Sequence, residues 1–231
     1  MTERELMAAA FEFETAMSFP VEQWLWERGA SCVAHEVDAG FGVPDLMAGV
    51  GTAGQLRNRR RQAQPVADAV QLRLLSFCGK WRTEDELRAW APNGYAGLRR
   101  RAIGPLVEAG LLLSEQSRMR ARRQPKDPFM ELVAVELKLS DVLRGLRQAH
   151  SYRTLADVAY LALPAARVNA MALEGARRHF IGLLSVHPRA VEEVVQPPRA
   201  SVAAAGRRRL ASERVLVASL DSTRLAGSAR R

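Results

Sequence analysis

The spacing of apolar and polar positions changes several times along the chain, and each change marks an element. Val21 to Arg28, with Trp24, Leu25 and Trp26, predicts an apolar-rich helix. Cys32 to Val37 predicts a short strand, and Gly40 to Ala48 a second strand after a tight turn. Much later, Phe129 to Ser140 alternates as a strand does, with Leu132, Ala134, Glu136 and Lys138 on one face and Val133, Val135, Leu137 and Leu139 on the other. Such a strand is buried on both sides. Asp141 to Leu155 follows as a helix, Asp157 to Pro164 as an apolar strand, and Phe180 to Val186 with Ala190 to Val195 as a further strand pair. The fold class these segments imply is α/β.

The stretch between these halves has a helical period. Val66, Val70, Leu74 and Phe77 share a face and Gly79 stops that helix; Thr83 and Glu86 have capping-box spacing and open a short helix through Trp90, which Pro92 ends. Tyr95 to Ala109 places Leu98, Ala102, Leu106 and Ala109 on one side, with Gly110 as its stop and Gly104-Pro105 expected to kink or interrupt it. Leu111 to Glu115 reads as a strand, and Ser117 to Arg123 as a basic arm after it. Gly49, Gly51 and Gly54 on one side and Pro125 to Pro128 on the other read as junctions, so the segment reads as an insertion, and Ala48 and Phe129 should then lie close together. The divisions expected are 1–55 with 127–200, the inserted 56–126, and a basic, partly unstructured tail over 201–231.

Charge follows the same division. The chain of 231 residues has a net charge of +9 and a pI near 10.6, yet Lys80, Lys126 and Lys138 are its only lysines. Residues 56–126 hold 16 basic against 6 acidic residues and 199–231 hold 8 against 2, whereas the rest holds 10 against 17. A basic module on an acidic body suits one part that grips phosphates and another that gathers cations. Cys32 and Cys78 lack metal-ligand spacing and are too few for a disulfide framework, which favours a reducing cytoplasm. Glu3, Glu5, Glu12 and Glu14 stand where a secretion signal would be basic and then apolar, and the longest apolar run, Val158 to Ala166, falls short of the roughly 20 residues of a membrane span. The location expected is cytoplasmic and nucleoid-associated.

A glutamate and a lysine side by side on a strand buried on both faces cost several kcal/mol, at roughly that order, unless paired or bound to something. Pro44-Asp45 together with Glu136-Leu137-Lys138 resembles the PD…(D/E)xK signature of a nuclease superfamily. The resemblance implies a restriction-endonuclease-like αβββαβ core, with Asp45 on its second strand and Glu136 and Lys138 on its third. The spacing of 91 residues between the two carboxylates exceeds the usual hairpin of that superfamily, and the insertion accounts for it. Gln148 and Tyr152 are similar to the Q-x3-Y element of RecB-type members. Glu22 resembles the extra acidic residue many members carry on the first helix, with Glu12 and Glu14 as alternatives, and His35 occupies a strand where some relatives place a ligand.

The resemblance implies that Asp45, Glu136 and the Leu137 carbonyl hold magnesium or manganese, and that Lys138 orients the attacking water or stabilises the transition state. The inserted segment is similar to winged helix-turn-helix domains of the MarR or GntR sort. It implies a recognition helix with Arg99, Arg100 and Arg101 and a wing with Arg118, Arg120, Arg122 and Arg123, acting on double-stranded DNA. The function expected is a metal-dependent DNA endonuclease, the alternative being a non-catalytic DNA-binding regulator on a nuclease-like scaffold. Whether the chain forms a homodimer or works with a partner protein of repair or defence stays open.

Overall fold

A computed structural model describes residues 11–62, 64–91, 94–122, 126–199 and 205–228. The chain divides into two compact units, one of residues 1–56 and 128–231, the other of residues 57–127.

After a 3-10 turn at Glu14–Met17, helix α1 (Ser18–Glu27) buries Val21 and Leu25 in line with Met17, four residues apart on one stripe. Strands β1 (Ala30–His35) and β2 (Leu46–Val50) pair antiparallel, and the segment between them is a loop rather than the start of a strand. Phe41 and Val43 alternate with glycines there, but Gly40 and Gly42 have φ of 80° and 132°, backbone that a strand cannot use. Helix α2 (Ala53–Gln62) follows.

The second unit contains helix α3 (Ala69–Phe77), strand β3 (Arg82–Thr83), helix α4 (Glu84–Trp90), helices α5 (Tyr95–Leu98) and α6 (Gly104–Glu108), and strands β4 (Leu112–Glu115) and β5 (Arg118–Ala121). Its sheet order is β3-β5-β4. Helix α3 starts at Ala69 rather than at Val66 because the Asp68 side chain accepts from Val70 N and Gln71 N. The Thr83–Glu86 capping box opens α4. A π-helical turn over Arg99–Ile103 joins α5 to α6, so Gly104-Pro105 does not break the run. Pro105 has no N–H for the Arg101 carbonyl, and Gln71 Nε2 donates to that carbonyl instead, at 3.0 Å.

The first unit resumes with strand β6 (Glu131–Leu137), helix α7 (Val142–Tyr152), strand β7 (Val158–Pro164), helix α8 (Ala170–Arg178), strands β8 (Gly182–His187) and β9 (Ala190–Val195), and helix α9 (Ala205–Ser228). The six-stranded sheet has the order β1-β2-β6-β7-β8-β9, with β6, β7 and β8 mutually parallel and the remaining pairs antiparallel. It is a mixed α/β unit. Residues 48 and 129 are brought together as the insertion requires: Met130 N donates to Val50 O at 2.9 Å, and the Phe129 ring packs over Gly49.

All seven residues of β6 are buried. Val133, Val135 and Leu137 pack with Met17, Val21 and Leu25 on one face, and Leu132 and Ala134 pack with Leu146, Ala149 and Tyr152 on the other. The C-terminal segment corrects the expectation of a basic, partly unstructured tail. Ala211, Val215 and Leu216 are buried on the α7 side of the sheet, and Arg208 forks onto Asp157 at 2.6 and 2.9 Å. The arginines of that segment concealed its helical stripe. No described helix is long and apolar enough to cross a membrane.

Candidate active site

Two strand ends, one helix and a 3-10 turn build the site. Leu46 pairs with Val135 in the antiparallel register, which brings the preceding Asp45 opposite Glu136. Asp45 lies one residue before β2, not on it; its carbonyl accepts from Glu36 N at 3.1 Å. Its carboxylate is fixed from below, Leu137 N donating to Oδ2 at 2.7 Å.

Glu136 is 2% exposed and Lys138, just past the end of β6, is 9% exposed. Lys138 Nζ lies 2.7 Å from Glu136 Oε1 and also donates to the Leu137 carbonyl at 2.8 Å. The Tyr152 hydroxyl donates to Glu136 Oε2 at 2.6 Å. Helix α7 reaches this close because Gly145 has no side chain: a Cβ there would stand 2.8 Å from Lys138 Cγ and 2.6 Å from Leu161 Cδ1. Gln148, between Gly145 and Tyr152 on the same helical face, has a buried Oε1 without a hydrogen-bond partner among the described residues.

The acidic residue that joins this group is Glu14, not Glu22. Glu14 accepts from Lys138 Nζ at 3.3 Å and from Leu139 N at 3.2 Å. Glu22 is taken up elsewhere, by His35 Nε2 at 3.1 Å and Trp26 Nε1 at 3.2 Å, so Glu22 and His35 partner each other. Glu22 sits on the regular part of α1, whereas Glu14 lies in the 3-10 turn ahead of it, 124 residues from the lysine it meets. Only the acid-rich run near the start of the chain hints at it.

Glu136 and Glu14 therefore pair with one ammonium, and the Asp45 carboxylate acts on its charge from nearby. Burial pushes the Asp45 carboxyl above the usual carboxylate range; the Leu137 N–H opposes this and the Glu136 charge adds to it. Burial works against the Lys138 charge, but Glu136, Glu14 and Asp45 outweigh it and hold that ammonium more firmly protonated than usual. The Tyr152 hydroxyl is pushed up by burial and by Glu136, so it stays a donor.

The oxygens present are hard donors of the sort magnesium takes, and surplus negative charge is what such an ion neutralises. Among the described residues no three His, Cys, Asp or Glu side chains form a ready ligand shell. Lys138 Nζ meanwhile bonds two of the three atoms assigned to the metal, Glu136 Oε1 and the Leu137 carbonyl.

In the second unit Arg99, Arg100, Arg118, Arg120 and Arg122 are exposed; Arg123 lies outside the described residues. Arg101 is exposed as well but is committed to Asp68 at 2.9 and 3.1 Å, unlike Arg99 and Arg100. Arg120 stands over the Trp81 ring at 5.8 Å. A groove of about 300 Å³ opens beside Arg100 and Arg101, lined by Val70, Gly97 and Leu98. No family model, curated protein or solved structure matches the chain.

Proposed function

We propose that the chain is a magnesium- or manganese-dependent nuclease that hydrolyses phosphodiester bonds of DNA. Its larger unit is read as a restriction-endonuclease-like core of the PD-(D/E)xK kind, and the smaller as a winged helix-turn-helix that recruits the duplex. The observation that carries this is the pairing of Glu136 and Glu14 with the buried ammonium of Lys138, with the Asp45 carboxylate standing opposite Glu136 at the neighbouring strand end. A structural ion pair needs equal charges, and this cluster has two negative charges too many.

Asp45 and Glu136 would hold the ion, with the Leu137 carbonyl once Lys138 releases it. When bound, the ion supplies positive charge at the phosphate and lowers the pKa of a hydrolytic water. The Leu137 N–H and the Tyr152 hydroxyl fix the two carboxylates, so little reorganisation remains to be done. Glu14 offers the Lys138 ammonium a second anchor, from which it can orient the water or bond a phosphate oxygen. The helix–strand–helix–helix–hairpin order of the smaller unit, with exposed Arg99, Arg100, Arg118 and Arg120, supports the recruiting role.

Supercoiled plasmid separates the readings. Nicking or linearisation is expected with magnesium or manganese, none in EDTA, and none by Glu136→Gln under the same conditions. Plasmid bound tightly but left intact with both ions would point to a non-catalytic DNA-binding regulator. Undiminished cutting by Glu136→Gln would remove the site from the reaction.

A further inference from the structure

The loop between β1 and β2, which runs into Asp45, leaves Phe41 and Val43 48% and 50% exposed. Neither side chain gains much from folding in that position, yet several hydrogen bonds tie the loop down. Asp38 Oδ1 accepts from Gly40 N at 2.7 Å, Ala39 N donates to Gly42 O at 3.1 Å, and Arg214 of α9 bonds the Asp38 carbonyl and carboxylate. Gly42, at φ 132°, lets the loop lie against Tyr152, whose ring a Cβ would meet at 2.9 Å. The Tyr152 hydroxyl then lies 3.3 Å from Val43 O while it donates to Glu136. Phe41 is two residues from that carbonyl, and the Arg207 guanidinium of α9 stacks on its ring at 3.7 Å from the centroid.

An exposed aromatic with an arginine stacked on it is the chemistry that captures unpaired bases. Every base has a π-face, and arginine adds a cation for the neighbouring phosphate. From this geometry we infer that Phe41 and Arg207 form a stacking platform for an unpaired nucleobase at the mouth of the site. The substrate class is then duplex DNA carrying unpaired nucleotides next to the scissile phosphate, such as an overhang or flap. The inference rests on the reading of this site as acting on DNA and specifies what enters it.

Fluorescence anisotropy with labelled DNA tests it, using full-length Asp45→Asn with magnesium so that nothing is cut. Three probes are compared: a blunt duplex, the same duplex with an overhang of thymidines, and one with that overhang abasic. The thymidine overhang should add roughly tenfold or more to the affinity, since one base stacked on an aromatic side chain has an effect of that order. Phe41→Ala and Phe41→Leu should both remove that gain and leave blunt-duplex binding unchanged; Phe41→Trp should keep it, with its fluorescence quenched by the overhang. The abasic overhang should add nothing and be indifferent to Phe41. A gain that survives Phe41→Leu, or an abasic overhang that binds as tightly as thymidine, overturns the platform. Metal-dependent plasmid cleavage by the wild type with no overhang gain sinks the platform alone, whereas the gain without any cleavage sinks the nuclease reading and leaves the platform standing.

Discussion

Strand β6 buries an acid at each end, and the surroundings treat the two differently. At its start, Glu131 is 8% exposed and meets Arg199 at 2.9 Å and Arg28 at 3.3 Å. Arg28 also reaches Glu193 at 3.5 Å, and the Tyr160 hydroxyl donates to Glu193 at 2.7 Å. Two acids face two arginines there, and the cluster is closed. At the far end Glu136 is buried at least as deeply, but Asp45 and Glu14 join it and Lys138 is the counter-charge. Both clusters have a tyrosine donating to a carboxylate, so hydrogen bonding does not separate them. What separates them is an unmet demand for two positive charges, and that demand, rather than burial, singles out the end of the strand where we propose the reaction takes place.

The largest expected effect comes from removing one negative charge at each end. Glu136→Gln should lower DNA cleavage by about 10³-fold or more, because several kcal/mol of transition-state stabilisation accompanies the cation. Glu131→Gln should leave the cleavage rate near that of the wild type and instead cost about 1–3 kcal/mol in urea unfolding, as two guanidiniums lose a charged acceptor. Cleavage assays beside denaturation curves would decide it. Equal rate losses for the two variants would erase the distinction between the ends.

How far this was legible in the sequence depends on the range of the interaction. Glu136 and Lys138 stand out because a strand read from its own alternation cannot bury them without cause, and the Thr83–Glu86 box is legible because both partners lie within one helical turn. Asp45 is legible only through the resemblance that Pro44-Asp45 and Glu136-Leu137-Lys138 carry together, because the register that sets it opposite Glu136 spans the whole insertion. Glu14 was harder, because its meeting with Lys138 depends on a 3-10 turn and on tertiary packing across the sheet. The loop at 36–45 imitates a strand through Phe41 and Val43 and is prevented from being one by two positive-φ glycines. Helix α9 hides because Arg207, Arg208 and Arg209 dominate its start, while its burial is carried by Leu210, Ala211, Val215 and Leu216 just after them.

A middle-sized effect should appear in the second unit, where the same contrast holds between committed and uncommitted charge. Arg99 and Arg100 are exposed, whereas Arg101 forks onto Asp68, whose carboxyl is held below its usual range because the Gln71 and Val70 N–H donors and Arg101 together outweigh its burial. Arg99→Ala and Arg100→Ala should each reduce the slope of log affinity against log salt by about one, as the loss of one phosphate contact does. Arg101→Ala should change that slope little and loosen the start of α3 instead. Titrations of duplex DNA across salt concentrations read this directly. A slope indifferent to Arg99 and Arg100 would assign the gripping to the exposed arginines on and beside β5.

The smallest effect tests the charge imbalance most directly, because it predicts a gain from a loss. Burial and Glu136 raise the Asp45 pKa in the folded protein above its model-compound value of 3.8. A carboxyl with a raised folded pKa adds stability below the unfolded pKa, and that contribution is lost as pH rises through the folded value. At neutral pH the charged Asp45 therefore works against folding when no cation is present. Asp45→Asn removes the charge while its amide oxygen can still accept from Leu137 N. Because Asp45 is partly exposed and solvent screens much of the repulsion, the gain in EDTA at pH 7 should be small, at most about 4 °C in Tm for a chain of this size. It should fade as the pH falls below about 4, where the wild-type carboxyl is protonated in both states. Magnesium should raise the wild-type Tm and leave that of Asp45→Asn nearly unmoved. Thermal unfolding followed by circular dichroism at two pH values, with and without magnesium, covers all four conditions. A variant less stable than the wild type at pH 7 in EDTA would mean that Asp45 is already satisfied as an anion, and the missing counter-charge at this end of β6 would disappear with it.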